Sequence, residues 1–432
     1  MVDGPVRQAS LREHNLALVL RQVATAAQPP SRADISAATS LTRATVSALV
    51  DDLIAGGLLA EVGPAPRTRA GRPAAGLVLA RTGPAGLGLE VNIDYLAACV
   101  VDLAGAVRHQ RVRRADQRPR HPTEVLADLA ELAAGASAYA AREGLTLAGA
   151  AVAVPGLVDA GGLVRLAPNL GWRDVDVPGA LALPYPLVVD NEANLAALGE
   201  LHAGPPGPAS FLYVSGEIGI GAGVVLNGAL YRGARGWSGE LGHVAVRPDG
   251  PACRCGAHGC LEQYAGQEAI LRAAGADRAA AGEYGRGAGA DGRGAGEYGR
   301  GAGADGRGAG ADGRGAGADG IDDLVRRAVA GDPATCRALA DAGTALGVAV
   351  AGVVNLLDVD TVVLGGVYAP LAPWLCPAVD GEIRRRVLTA SWSPVAVRRS
   401  VLGADAAAVG AAGSVVREIH AHPAPWLAPT PY

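Results

Sequence analysis

The sequence predicts two structural classes in one chain: a small, mainly helical unit over residues 1–80 and an α/β domain over residues 84–432. Three observations carry this expectation. Apolar residues recur at helical spacing through residues 11–57. From residue 84 onward, short β-branched runs alternate with helical stretches, the order of an α/β domain. A chain of 432 residues also exceeds what one ordinary core holds.

The elements follow in order. "LREHNLALVLRQVAT" puts Leu16, Val19, Leu20 and Val23 on one helical face. "SRADISAAT" reads as a second helix with Ser31 as its N-cap. After the turn "TSL", "TRATVSALVDDLIAGG" reads as a third helix, with Val46, Leu49, Val50 and Leu53 facing the core. The Gly56–Gly57 pair ends it. "LLAEVG" and "GLVLA" read as short strands joined by the loop "PAPRTRAGRPAA". Strands are then expected at "GLGLEVN", "LAACVVDL", "AVRHQRVR", "AGAAVAVPG", "PLVVDNE", "SFLYVSG", "IGAGVVLNG" and "TVVLGG". Helices are expected at 122–144, 193–204 and 321–357. Residues 280–320 repeat a seven-residue unit, "GAGADGR" or "GAGEYGR". So much glycine leaves little to bury, and a disordered insertion is expected there.

Composition excludes several classes. Half the residues are hydrophobic, which disfavours global disorder. The net charge of −4 argues neither for nor against nucleic acid. Every basic residue is Arg; with one Met and one Phe, this reads as GC-rich codon bias, so arginine abundance alone carries little. The N-terminus shows no apolar signal segment. The most apolar stretch, residues 344–367, is interrupted by Asn355 and Asp358, so no membrane partner is expected. A cytoplasmic protein is expected, where clustered cysteines bind metal more readily than they form disulfides.

One such cluster stands out. "GHVAVRPDGPACRCGAHGC" places His243, Cys253, Cys255 and Cys260 within nineteen residues. Imidazole and thiolates are zinc ligands, and four of them close a tetrahedral site with no open position. The expected cofactor is therefore structural Zn2+, without metal catalysis. Gly250, Gly256 and Gly259 let the chain wrap a small ion.

The stretch "GWSGELGHVAVRPDGPACRCGAHGCLEQYAG" resembles the signature of the ROK family of sugar kinases and sugar-responsive repressors. "VPGLVD", "APNLGW", "VVDNEANLAALGE", "GIGAGVVLNGALYRGARG" and "VVLGG" follow in the family's order. The resemblance covers residues 84–432 apart from the glycine-rich insert. It implies an actin-like, hexokinase-type (ribonuclease H-like) domain of two lobes with a carbohydrate in the cleft. It also implies that His243, Cys253, Cys255 and Cys260 are the zinc ligands. Glu240, Glu262 and His243 would meet sugar hydroxyls, joined by Asn191, Glu192, Gly156 and Asn169. Carboxylates suit this task because each accepts several hydroxyl hydrogen bonds.

The chain departs from the family's kinases at three places. Glu192 stands where they carry a catalytic Asp. In the first phosphate loop, D-x-G-x-T, the matching positions are Glu90, Asn92 and Asp94. In the second, G-T-G-I-G, Glu217 and Ile218 replace the first Gly and Thr. The remaining Gly219, Gly221 and Gly223 suit a tight strand turn as well as a nucleotide. Acids at phosphate sites repel phosphate, so an enzyme is not expected. The alternative is an ATP-dependent ROK sugar kinase.

The N-terminal unit resembles the winged helix-turn-helix that the family's repressors carry. Thr42, Arg43, Thr45 and Ser47 would lie on the exposed face of a recognition helix, and Arg67, Arg69 and Arg72 on the wing. The resemblance thus implies a regulator of the xylose/N-acetylglucosamine repressor type. Its expected partners are an operator in double-stranded DNA, a small carbohydrate effector, and a second copy in a homodimer or higher homo-oligomer.

Overall fold

The computed structural model describes residues 8–63, 75–203, 209–216, 219–275 and 316–427. The N-terminal unit comprises α1 (Gln8–Thr25), α2 (Arg32–Thr39), α3 (Arg43–Ala55), β1 (Leu59–Val62) and β2 (Gly76–Leu79). A capping box starts α2: the Ser31 hydroxyl accepts from Asp34 N–H, and Asp34 accepts from Ser31 N–H. Ser40, in the left-handed region at φ 60°, turns the chain into α3. Thr42 caps α3 by accepting from Thr45 N–H, and Gly57 follows the helix at φ 69°. β1 and β2 pair antiparallel, Leu59 opposite Leu79. The wing loop with Arg67, Arg69 and Arg72 lies outside the described residues.

The first lobe holds β3 (Gly83–Val91), β4 (Tyr95–Asp102), β5 (Val107–Arg114), α4 (Pro122–Arg142), β6 (Leu145–Val154), a small sheet β7 (Leu157–Val158), β8 (Leu163–Ala167) and β9 (Trp172–Asp176), then α5 (Val177–Leu181) and β10 (Leu187–Asn191). Its main sheet runs β10-β6-β3-β4-β5. Helix α6 (Glu192–Ala203) leads to the second lobe. There β11 (Phe211–Gly216), β12 (Ile220–Leu226) and β13 (Ala229–Leu230) precede α7 (Glu262–Ala265), α8 (Gln267–Ala273), α9 (Ala316–Val329) and α10 (Pro333–Leu357). β14 (Thr361–Gly366), α11 (Tyr368–Arg386), β15 (Ala396–Arg399) and α12 (Ala406–Ala421) close the chain. The second sheet runs β13-β12-β11-β14-β15. Each sheet is an antiparallel three-strand meander followed by two parallel strands, so the lobes are topological copies. That duplicated, actin-like plan is the expected fold.

Two helices pack between the sheets, and glycine sets how closely. A Cβ on Gly88 of β3 would stand 1.9 Å from the Ala408 carbonyl of α12. One on Gly410 would stand 1.8 Å from the Leu195 carbonyl of α6. The N-terminal unit shares its core with this layer. Leu16, Leu20, Val50 and Leu53 form one apolar cluster with Cys99 and Val101 of β4 and Ala412 and Val416 of α12.

Several expectations change. Residues 316–320 are not part of a structureless insertion; they form the first turn of α9, although Gly317 and Gly320 lie in it. Extending an existing helix is far cheaper than nucleating one, and Gly320 packs near Leu271. Residues 276–315 lie outside the described residues. The helical stretch 321–357 divides at residues 330–332, where Asp332 caps α10 through Thr335 N–H. By length and composition α10 could cross a membrane, yet half of its apolar window is buried. Leu339, Leu346, Val350 and Val354 lie in the second-lobe core, as in a core helix of a globular fold.

Candidate sugar cleft and metal centre

One cavity gathers every residue proposed for sugar binding: Gly156, Asn169, Asn191, Glu192, Glu240, His243 and Glu262. It opens at the carboxyl ends of β3, β6 and β10, against the start of β12, where α/β sheets hold ligands.

Gly156 and Asn191 act on each other. Gly156 sits at φ 100°, and a Cβ there would meet the Leu166 carbonyl at 2.2 Å. Its carbonyl accepts from Asn191 Nδ2 at 3.0 Å. The same amide donates to Glu192 Oε2 at 2.9 Å, while Asn191 Oδ1 caps α6 by accepting from Ala193 N–H and Asn194 N–H. The four hydrogen-bonding positions of that amide are thus used within the protein, so Asn191 orients Glu192. Neighbouring Asp190 receives Arg232 and Asn194, which locks the end of β10.

Glycines of β12 and the turn before it face the carboxylates. A Cβ on Gly219 would lie 2.8 Å from Glu262 Oε2 and 3.2 Å from Asn169 Nδ2; one on Gly221 would lie 3.2 Å from Glu192 Oε1. Ile220 N–H donates to Glu262. These glycines therefore bring backbone against the protein's own acids. Burial raises the pKa of Glu262, with His243 and the Ile220 N–H opposing. Partial burial likewise raises Glu240, offset by His243 and reinforced by Glu262.

His243 joins the cleft to the cysteine loop. Its Nε2 lies 4.0 Å from Glu240 Oε2, and its Nδ1 lies 3.8 Å from Cys253 Sγ. Cys255 and Cys260 sulfurs are 3.7 Å apart, and all four ligand atoms fall within 4.8 Å of one another. A tetrahedral thiolate site with bonds of about 2.3 Å has sulfur–sulfur edges of about 3.8 Å. The cysteines are free thiols, and this group could hold a metal ion. The loop turns tightly around the group: Gly256 and Gly259 stand at φ 93° and 69°, and Cys253 N–H donates to the Ala257 carbonyl.

The phosphate-loop positions behave differently. Glu90 is buried in β3, and it does not line the cavity. Its carboxylate accepts from Tyr95 Oη at 2.8 Å and from Ala408 N–H in the first turn of α12. Burial pushes its pKa up to about 7. Asn92 lines the cavity and accepts from Asp94 N–H. Asp94 was expected to repel phosphate there; it lies off the cavity wall, with Arg118, Asp116 and Arg114 acting on it. Glu217 and Ile218 lie outside the described residues.

Sequence reasoning missed Arg254, which lines the cavity from between two cysteines. The only signal was its place in C-x-C, where one intervening side chain is forced outward. On α3, Thr42 and Arg43 are exposed, whereas Thr45 and Ser47 are half-buried, and Thr42 and Thr45 hydroxyls bond each other at 2.8 Å.

Comparisons with known proteins identify the family. The ROK family profile matches residues 86–418. The xylose repressor of Bacillus subtilis (strain 168) is 27% identical over 416 residues, covering 95% of this chain and 96% of its own. A solved ROK family transcriptional regulator, a homologue of the E. coli MLC protein, superposes with a TM-score of 0.72. It is 24% identical and covers 95% of this chain and 97% of its own. A ROK family glucokinase from Streptomyces griseus, solved with glucose and AMPPNP, has a TM-score of 0.61. It is 27% identical and covers 76% of this chain and 98% of its own.

Proposed function

The chain belongs to the ROK family, and on that premise we propose that it is a sugar-responsive transcriptional repressor that has lost kinase activity. One observation carries the proposal. Helix α12 packs on β3, which leads into the cavity at Asn92, and on α6, which begins at Glu192; it also shares an apolar core with α1 and α3. Sugar closing the cleft would move α12, and α12 would move the operator-binding unit. The long match to a xylose repressor supports the same reading.

In this reading residues 1–80 bind DNA and residues 84–432 sense sugar. Arg43, exposed at the start of α3, reads a base, with Thr42, Thr45 and Ser47 beside it and Arg69 and Arg72 in the wing. Thr42 and Thr45 also hold the helix cap, so Arg43 carries most of the base discrimination. Glu240, His243, Glu262 and Asn169 meet the hydroxyls, while Asn191 and Gly156 set Glu192 in place. His243, Cys253, Cys255 and Cys260 hold Zn2+, which fixes the loop carrying Glu240 and Glu262. The metal supplies rigidity and no reaction step. A homodimer would engage two half-sites one helical turn apart, about 34–36 Å. A DNA partner and a thiolate metal group support a cytoplasmic location.

The test is a titration of the DNA upstream of its own gene, with and without a sugar panel, beside an ADP-release assay. Sequence-specific binding that one sugar shifts by roughly 5–150-fold is expected, with no ADP formed. Arg43→Ala should weaken specific binding by about 1–3 kcal/mol and leave sugar affinity unchanged. Binding that ignores DNA sequence would sink the repressor reading, and sugar-dependent ADP release would restore the kinase.

A further inference from the structure

The sugar cavity does not end at Glu262. A second cavity of about 200 Å3 adjoins it and shares Asn169, Arg254 and Glu262 with it. Gln263, Glu268 and Arg272 line the far part. Glu268 and Arg272 stand one turn apart on α8, so a single rigid helix face presents both. Asn191, Glu192 and Asn92 line the first cavity alone, so the extension leaves from the Glu262 side, away from the phosphate-loop positions.

The chemistry of the extension is mixed. Arg254 and Arg272 only donate hydrogen bonds, Glu262 and Glu268 only accept them, and the amides of Asn169 and Gln263 do both. Two cations and two anions cancel. Arg254 and Glu268 approach no closer than 3.7 Å, and both are largely exposed, so they have not collapsed into a tight pair. A phosphate or carboxylate placed here would gain two arginines and face two glutamates. An apolar group would strip water from four charges. A neutral ring of hydroxyls, each able to donate and to accept, satisfies the whole set.

We propose that this chamber takes a second sugar ring, so that the effector is a disaccharide spanning both cavities. The inference rests on the sugar-binding reading given above. The second ring adds hydrogen bonds to Arg272, Glu268 and Gln263 that a monosaccharide cannot reach.

The test is titration calorimetry of the full-length, zinc-replete protein with matched pairs: D-xylose and xylobiose, D-glucose and cellobiose, N-acetylglucosamine and chitobiose. In at least one pair the disaccharide should bind tenfold or more tightly than its monosaccharide. Arg272→Ala should erase that advantage and leave monosaccharide affinity within twofold, and Glu268→Gln should do the same by a separate route. Equal affinity within every pair overturns the disaccharide inference while leaving a monosaccharide sensor intact. Variants that weaken both members of a pair alike also overturn it. A complete absence of sugar binding overturns this inference and the sugar-sensor reading together.

Discussion

The two ends of the cleft use the same residue type for opposite purposes. At one end Glu240 and Glu262 face the cavity, and His243 behind them ties their loop to three cysteines. At the other end the carboxylates take partners inside the protein, although Glu192 still lines the cavity. Glu90 accepts from Tyr95 and the first turn of α12, and Glu192 is held by Asn191. A phosphate site needs backbone N–H groups that nothing else has claimed, commonly at a helix N-terminus. Here a buried acid already sits at the start of α12, and Ile220 N–H serves Glu262. On the proposed reading, the first end keeps its polar groups for a ligand, and the second has turned Glu90 into structure.

Removing the metal group should show the largest effect. Structural zinc contributes on the order of 10 kcal/mol to the fold of such loops. Cys253→Ser, or exhaustive chelation, should lower sugar affinity by roughly 100-fold, as loss of ligand positioning does. The helical N-terminal unit has its own caps and packs on β4 and α12 rather than on the cysteine loop, so operator binding should persist without a sugar response. Metal analysis with parallel DNA and sugar titrations reads all three. Unchanged sugar affinity in metal-free protein would remove the cysteine loop from the sensing end.

Next in size is a pH effect at the other end. Glu90 is held near 7, above the 4.5 of a free carboxyl. The folded state therefore keeps this proton while the unfolded state loses it, and stability falls as pH rises from about 4.5 to 7. A shift of that size corresponds to roughly 3 kcal/mol. Glu90→Gln should remove most of this slope and unfold at higher denaturant concentration than the parent at pH 8. Denaturation at pH 5 and pH 8 checks it; identical slopes for parent and variant would mean that Glu90 is not buried as a proton-holding acid.

Glu262→Gln sharpens the contrast on the sensing side. The amide keeps its shape but loses charge and one acceptor position, and a hydrogen bond to a charged group is worth about 1.5–3 kcal/mol. Sugar affinity should fall by roughly ten- to a hundredfold, with stability almost unchanged because the residue is only half-buried. Calorimetry that finds sugar affinity intact would take Glu262 out of the ligand shell.

How far the sequence reveals this contrast depends on the kind of signal. The N-terminal helices are legible because Ser31 and the Gly56–Gly57 pair mark ends and Leu16, Val19, Leu20 and Val23 keep one face, whereas the Thr42 cap emerges only in the structure. The four metal-group residues are legible because they are chemically rare and close in sequence. Helix α11 is not, because Pro373 and Pro377 read as breakers inside it. Helix α12 is not, because Ala406–Ala412 is buried on every side and shows no polar stripe. The internal duties of Asn191 and Glu90 are illegible for another reason: partners such as Gly156 and Ala408 are remote in sequence and contribute only backbone atoms.

The smallest expected effect is the most discriminating. The sequence departs from the kinase pattern at both phosphate loops, with Glu90, Asn92 and Asp94 in the first and Glu217 and Ile218 in the second. In the structure Glu90 and Asp94 both lie off the cavity wall, but Glu90 is buried against Tyr95 and the first turn of α12, while Asn92 lines the cavity, accepts from Asp94 N–H and also hydrogen-bonds Glu90. Asn92→Gly with Asp94→Thr restores the turn and removes the Asn92 contact to Glu90, but keeps Glu90 on Tyr95 and Ala408 N–H. AMPPNP binding by calorimetry should stay undetectable in this double variant, and sugar affinity should move by less than about twofold, a change worth about 0.4 kcal/mol. Tight AMPPNP binding with sugar-dependent ADP release would show the opposite: that the turn alone had closed the site, and that the two ends differ by two side chains rather than by how their acids are spent.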